Sequence, residues 1–240
     1  MNNILLLAKR ELRSFVDTPV GYVVLAVFPA TLAALFFLVG SFFVEGEATL
    51  RNFFNGMPMA MALLVPALTM RMWSEEIREG TEELLLTWPI RLRALVLGKF
   101  LGALSLLALT LLATIMIPLT VAYLGDVDGG AVLAGYCGTF LLGAVCASLG
   151  LLLSSLTRNQ IVAWLSSSAI LVVLNLLSIA ATARSIPPTL AHALQTMDLG
   201  VHFYSMSRGV IDAADLLFFL ALTLFFLVCN GLVLERRLRR

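Results

Sequence analysis

Charge is scarce in this chain. Only 13% of its 240 residues are charged, against roughly 25% in an average soluble domain, while 60% are hydrophobic and the mean hydropathy is +0.97. A chain so poor in charge cannot clothe a soluble core, so it reads as a membrane protein. Histidine occurs twice, as His192 and His202, ten residues apart with no third ligand at a fixed spacing, a poor basis for a metal centre. The three cysteines (Cys137, Cys146, Cys229) fall inside apolar runs without a C-x-x-C pair and read as small packing residues. Catalytic motifs are missing too. There is no H-E-x-x-H and no G-x-S-x-G, and Gly98-Lys99 lacks the glycine that a phosphate-binding loop needs at position 93, which is Arg93. A glutamate-type intramembrane metalloprotease would need histidines near Glu75 and Glu76, and both histidines fall in a loop on the other side. The chain reads as a non-enzyme with no cofactor or metal of its own and no nucleic-acid partner.

What is present is a series of long apolar runs. A helix needs about 20 apolar residues to cross the hydrocarbon core, and six segments qualify: Val20–Phe43, Phe54–Met72, Leu95–Leu124, Ala131–Leu156, Ile161–Ala183 and Ala214–Leu234. The first lacks a small-x-small cleavage site, so it reads as a retained span rather than a signal peptide. The second contains Pro58 and Pro66, and Pro118 is placed to kink the third. Six spans put both termini on one side. With that side cytoplasmic, Lys and Arg divide thirteen inside (9, 10, 13, 71, 78, 91, 93, 99, 158, 236, 237, 239, 240) to three outside (51, 184, 208), a positive-inside asymmetry. No span carries an ionisable residue near its middle, which argues against a proton- or ion-coupled transporter. Gly98-x-x-x-Gly102 and Gly143-x-x-x-Ala147 have the spacing that lets helices approach closely.

Three segments lie outside the spans. Residues 1–19 read as an interfacial helix: Ile4, Leu5, Ala8, Leu12, Phe15 and Val16 share one face, and Lys9, Arg10 and Arg13 the other. Residues 184–213 are too apolar for a free loop and read as one or two short helices dipping into the outer interface. The third, Arg71 to Lys99, holds five of the fifteen carboxylates and five of the sixteen cations. Ser74 is placed to N-cap a short helix with Glu75 and Glu76 in its first turn, and Gly80 to end it. Thr81 is then placed to cap a second helix with Glu82 and Glu83 in its first turn, ended by Trp88-Pro89. Such an ordered, charged surface implies a partner that pushes on it.

Glu76…Gly80-Thr81-Glu82-Glu83-Leu84-Leu85…Pro89…Leu97-Gly98-Lys99 resembles the E-x-x-x-G-T-x-E-x-L-L…P…GK signature of ABC-2 type transporter permeases. The resemblance extends over nearly the whole chain. Lys9-Arg10-Glu11-Leu12 with Arg13 and Pro19 looks like the family's N-terminal interfacial helix, and Leu156-Thr157-Arg158-Asn159-Gln160 like its turn after span four. His202-Phe203…Arg208-Gly209-Val210-Ile211-Asp212…Asp215 is similar to the gliding-motility-type branch. The resemblance implies one domain over 1–240, an all-α integral membrane protein of six transmembrane helices. It would have an N-terminal interfacial helix, a cytoplasmic coupling helix between spans 2 and 3 (73–94) and short extracytoplasmic re-entrant helices between spans 5 and 6. It further implies a permease in a bacterial cytoplasmic (inner) membrane, working as a homodimer or with a related permease. A separate cytoplasmic ABC ATPase would bind ATP and Mg and drive export, and Ser74, Glu75, Glu76, Arg78, Gly80, Thr81, Glu82 and Glu83 would dock it. The branch adds a membrane-anchored partner with an extracytoplasmic domain. With it comes an alternative: a scaffold that transmits ATP-driven movement outward without moving a small substrate.

Overall fold

The computed structural model describes residues 2–39, 49–81, 91–182 and 187–238, and every regular element among them is helical. Helix α1 (Asn2–Val16) is followed by α2 (Pro19–Ala34), whose first residue is a proline, at a position where the missing N–H costs nothing. A π-helical turn, Leu35–Val39, extends α2. Then come α3 (Arg51–Asn55), α4 (Met57–Thr69), α5 (Arg71–Glu79), α6 (Leu92–Ala113), α7 (Met116–Leu124), α8 (Gly129–Ser154) and α9 (Gln160–Asn175). The series ends with α10 (Leu177–Ala181), α11 (Pro188–Thr196), α12 (Leu199–Ser207) and α13 (Ala213–Leu238).

Polar residues at the turns cap these helices. Asp128 accepts from the amides of Gly130 and Ala131 at the start of α8, Asn159 from Ile161 at the start of α9, and Asp198 from Gly200 and Val201 at the start of α12. Pro118 cannot donate to the carbonyl of Thr114, and the long third run is interrupted there into α6 and α7. Among the described residues four helical stretches are long and apolar enough to cross a membrane: Gly21–Leu38, Leu92–Leu124, Gly129–Ser154 and Ala213–Arg237. The expected second span divides into the end of α3, the 13-residue α4 and the start of α5, and the fifth into the 16-residue α9 and the short α10. Thirteen residues rise only about 20 Å, short of a core roughly 30 Å thick.

The buried axis of the fold is α8, which packs against α4, α6, α9, α12 and α13. Its Leu142, Val145, Cys146 and Leu151 are fully buried. Glycines let its neighbours come close: Leu107 of α6 fills the space where Gly143 would carry a Cβ, and Thr69 of α4 does the same at Gly150.

Two ends of the bundle differ in character. At one end the last turn of α8, helices α1 and α5, the start of α6 and the C-terminal part of α13 meet. At the other, Phe36, Phe53, Phe54 and Tyr136 form an aromatic cluster, Tyr136 bonds Thr114 at 3.0 Å, and Arg51 donates to the Tyr204 hydroxyl at 3.0 Å. The short α11 and α12 sit at this second end. His202 of α12 there faces Asp215 of α13 at 2.7 Å through Nδ1 and donates from Nε2 to the Thr196 carbonyl at 3.0 Å, while His192 is exposed. The two histidines do not converge, and among the described residues no three His, Cys, Asp or Glu gather as metal ligands.

Candidate functional site

The dense charge of the sequence assembles around one lysine. Lys99, on the first half of α6, has a side chain only 2% exposed. An ammonium carries three N–H donors and no acceptor, and all three find partners: Glu76 Oε1 of α5 at 2.7 Å, the Met72 carbonyl of α5 at 2.9 Å, and Glu11 Oε1 of α1 at 3.1 Å. The ammonium also lies 4.8 Å from the centre of the fully buried Trp73 ring, within cation–π range. One side chain thus ties α1, α5 and α6 together.

The cluster holds two carboxylates for one ammonium. Glu76 Oε2 is buried and has no hydrogen-bond partner among the described residues. Burial pushes the Glu76 carboxyl above the usual carboxylate range, Lys99 pulls it down, and the negative charge of Glu11 adds to the upward push. The junction therefore holds a carboxylate that pays for its place mainly through Lys99.

Glycine spacing seats α1 on α6. A Cβ at Gly98 would lie 2.6 Å from the Leu7 Cβ, and one at Gly102 2.6 Å from the Glu11 Cβ, so only glycine admits α1 at this depth. The face that α1 buries overlaps in part with the one its hydrophobicity indicates. Leu7, Ala8 and Phe15 are buried and Glu11 half-buried, whereas Leu5 and Leu6 are 61% and 64% exposed. The helix is turned so that Glu11 reaches Lys99 and leucines face outward. Lys9, Arg10 and Arg13 stay on the exposed side, Arg13 pairing with Asp17 at 3.3 Å.

Helix α5 begins earlier than its local signals indicate. Ser74 lies inside it, and its hydroxyl donates back to the Met70 carbonyl. The capping role falls to Ser154, at the end of α8. Its oxygen accepts from the amides of Trp73 and Ser74, each at 3.1 Å, while its hydroxyl donates to the Met70 carbonyl at 2.8 Å. A hydroxyl from another helix thus does what an N-cap residue does locally. The far end of α5 matches expectation: Gly80 closes it in the left-handed conformation, with φ of 70°.

The residues anticipated as a docking surface divide accordingly. Ser74 is buried in the fold and Glu76 is turned toward Lys99. Glu75 is held by Arg71 at 3.0 Å and lies 3.8 Å from Arg78. Arg78 and Gly80 are exposed and Thr81 half-buried. Glu82 and Glu83, with the second helix anticipated up to Pro89, lie outside the described residues. A cleft of about 560 Å³ opens between α1 and α5, with Lys99, Glu11 and Glu76 in its wall and Arg71, Glu75 and Glu79 also lining it.

Lys99, Trp73 and Ser154 carry more of this site than their place in the sequence indicates. One signal was available: the chain uses arginine fourteen times and lysine only twice, and puts one of those lysines directly after a glycine in an apolar run. A compact ammonium fits three converging oxygens where the planar guanidinium does not.

Among the described residues no three His, Cys, Asp or Glu gather here as metal ligands. What the arrangement offers is a tie: Lys99 of α6 bonds α5 and α1 at the same point. The model of the ABC-2 family transporter proteins matches residues 5–229, a stretch that includes all members of the Lys99 cluster. No curated protein matches the chain. A match over nearly the whole length, on an all-helical membrane fold, places this chain in the ABC-2 family of transporter proteins.

Proposed function

We propose that this chain is the permease subunit of an ATP-binding cassette exporter in a bacterial cytoplasmic membrane. It pairs with a second copy or a related permease and is driven by a separate cytoplasmic ATPase that binds ATP and Mg. In this reading the chain crosses the membrane six times, through α2, α3–α4, α6–α7, α8, α9–α10 and α13, and both termini are cytoplasmic. The charge distribution supports that orientation: among the described residues eleven Lys and Arg lie toward the end holding α1 and α5, and two (Arg51, Arg208) toward the other. Segment 73–94 is then the coupling segment, with Arg78, Gly80, Thr81, Glu82 and Glu83 meeting the ATPase and Glu76 passing its displacement inward.

The observation that carries this reading is the Lys99 cluster. A helix that only capped a loop would not need a buried ammonium bonded to two other helices at once. Closure of the ATPase dimer would push α5, and the ties through Glu76 and Met72 to Lys99 would shift α6 with it.

The test is a mild-detergent pull-down of the chain expressed with its neighbouring genes, followed by ATPase and transport assays. The expected result is a P-loop ATPase at equal stoichiometry. Reversal of Glu82 and Glu83 to Lys should reduce its association, and Lys99→Met should leave it bound but poorly coupled to transport. A chain recovered alone would overturn the proposal. An ATPase that responds only to an extracytoplasmic protein, with no substrate moved, would replace export by force transmission.

A further inference from the structure

A second groove, of about 780 Å³, runs between α6 and the C-terminal half of α13, away from the Lys99 cluster. Its walls are apolar: Val96 and Leu97 on α6, with Leu224, Leu227 and Val228 on α13. Gly231 forms part of its floor, and a Cβ there would meet nothing within 4 Å, so the groove is open rather than packed. The rim is basic. Arg91 and Arg93 both line it and both are exposed, and neither makes an ion pair among the described residues. Glu235 shares the rim and has interactions of its own. Two guanidiniums against one carboxylate leave the rim with one net positive charge.

The dimensions match half a bilayer. From Leu224 to Glu235 the groove follows twelve residues of helix, a rise of about 16 Å, against roughly 15 Å for one leaflet of a 30 Å hydrocarbon core. α6 and α13 are both among the stretches long and apolar enough to cross a membrane, so the arginine rim falls at headgroup level and the apolar walls at acyl-chain depth. Arg–phosphate pairing is bidentate and strong, and basic pockets between membrane helices select anionic lipids.

We propose that this groove is a binding site for an anionic glycerophospholipid, its phosphate held by Arg91 and Arg93 and one acyl chain lying along α6 and α13 over Gly231. A bound lipid would fill the one open seam between these two helices. The inference rests on family membership and on α6 and α13 crossing the bilayer. It does not require the ATPase partner, so its failure would leave the permease reading standing.

The experiment is native mass spectrometry of the full chain released from detergent micelles, with phosphatidylglycerol, phosphatidylcholine or inorganic phosphate added. Phosphatidylglycerol should be retained roughly tenfold or more above phosphatidylcholine, since each basic residue near the headgroup contributes several-fold. The double variant Arg91→Gln, Arg93→Gln should bring it down to the phosphatidylcholine level, and Glu235→Gln should raise it. Gly231→Leu, whose Cβ would meet nothing within 4 Å and whose longer side chain enters the groove, should lower retention with the arginines intact. Equal retention of the two lipids, or full retention of phosphatidylglycerol by the double variant, would overturn the site. Displacement by millimolar inorganic phosphate, together with indifference to Gly231→Leu, would mean a phosphate site alone and would equally overturn it.

Discussion

The two ends of the bundle use charge in opposite ways. At the α1–α5–α6 end an ammonium is buried, saturated by three acceptors and shared among three helices. At the α3–α11–α12 end the buried charge is an anion held by backbone, Asp198 accepting from the amides of Ser178, Gly200 and Val201, while Arg51 with Tyr204, and His202 with Asp215 and one carbonyl, form separate contacts. The first arrangement is expensive to assemble and hard to deform, because each partner depends on the others. The second can lose one contact and keep the rest. In the proposed function force arrives at the α1–α5–α6 end, and the first kind suits that place.

The comparison can be broken most severely at Lys99. Lys99→Met leaves Glu11 and Glu76 without the ammonium they share, and loss of one member of a buried ion cluster costs about 3–5 kcal/mol. The fall in thermal midpoint in a fixed detergent measures it. Adding Glu11→Gln and Glu76→Gln should recover much of that loss, since the uncompensated charge is then gone. Ser154→Ala comes next: the Trp73 and Ser74 amides lose their acceptor in a buried setting, at a cost of about 1–3 kcal/mol by the same measurement.

Glu76→Gln alone is smaller, and its direction depends on pH. The carboxyl pKa of Glu76 is raised in the fold above its ordinary 4.5, so the folded chain takes up the proton first. The stability this gives is present at low pH and is lost as pH rises through the folded value. Relative to the Gln variant, the wild type should therefore gain thermal stability as pH falls from neutral towards about 4.5, and show a constant deficit above the folded value. Smallest is Arg51→Ala at the other end, an exposed hydrogen bond whose loss should change stability by about 0.5 kcal/mol or less. A large effect there would erase the contrast between the ends.

Much of the fold was legible because its signals are local. Pro118 interrupts a run and Gly80 ends α5, each through its own backbone. The site was less legible because its decisive contacts are distant in sequence. Ser74 has the residue type and position of a cap, but Ser154, eighty residues away, takes the amides instead. The buried face of α1 was legible in part: Ala8 and Phe15 are buried, but so is Leu7 while Leu5 is exposed, and hydrophobicity alone cannot tell Leu5 from Leu7. Gly98-x-x-x-Gly102 announced a close helix contact without naming the partner, and that partner is α1.

The seat of α1 also sets an order of events at the ribosome. Glu11 is made 88 residues before the lysine that it bonds, an interval of roughly 5–20 s at ordinary translation speed. Through that time the first helix waits with a carboxylate on its future inner face, and Met72 and Glu76 emerge before the ammonium they bond. Lys99 is the last part of the cluster to leave the exit tunnel. Its arrival closes the junction, so a chain stalled before α6 would present at its N-terminus an unfinished joint open to recognition by quality control.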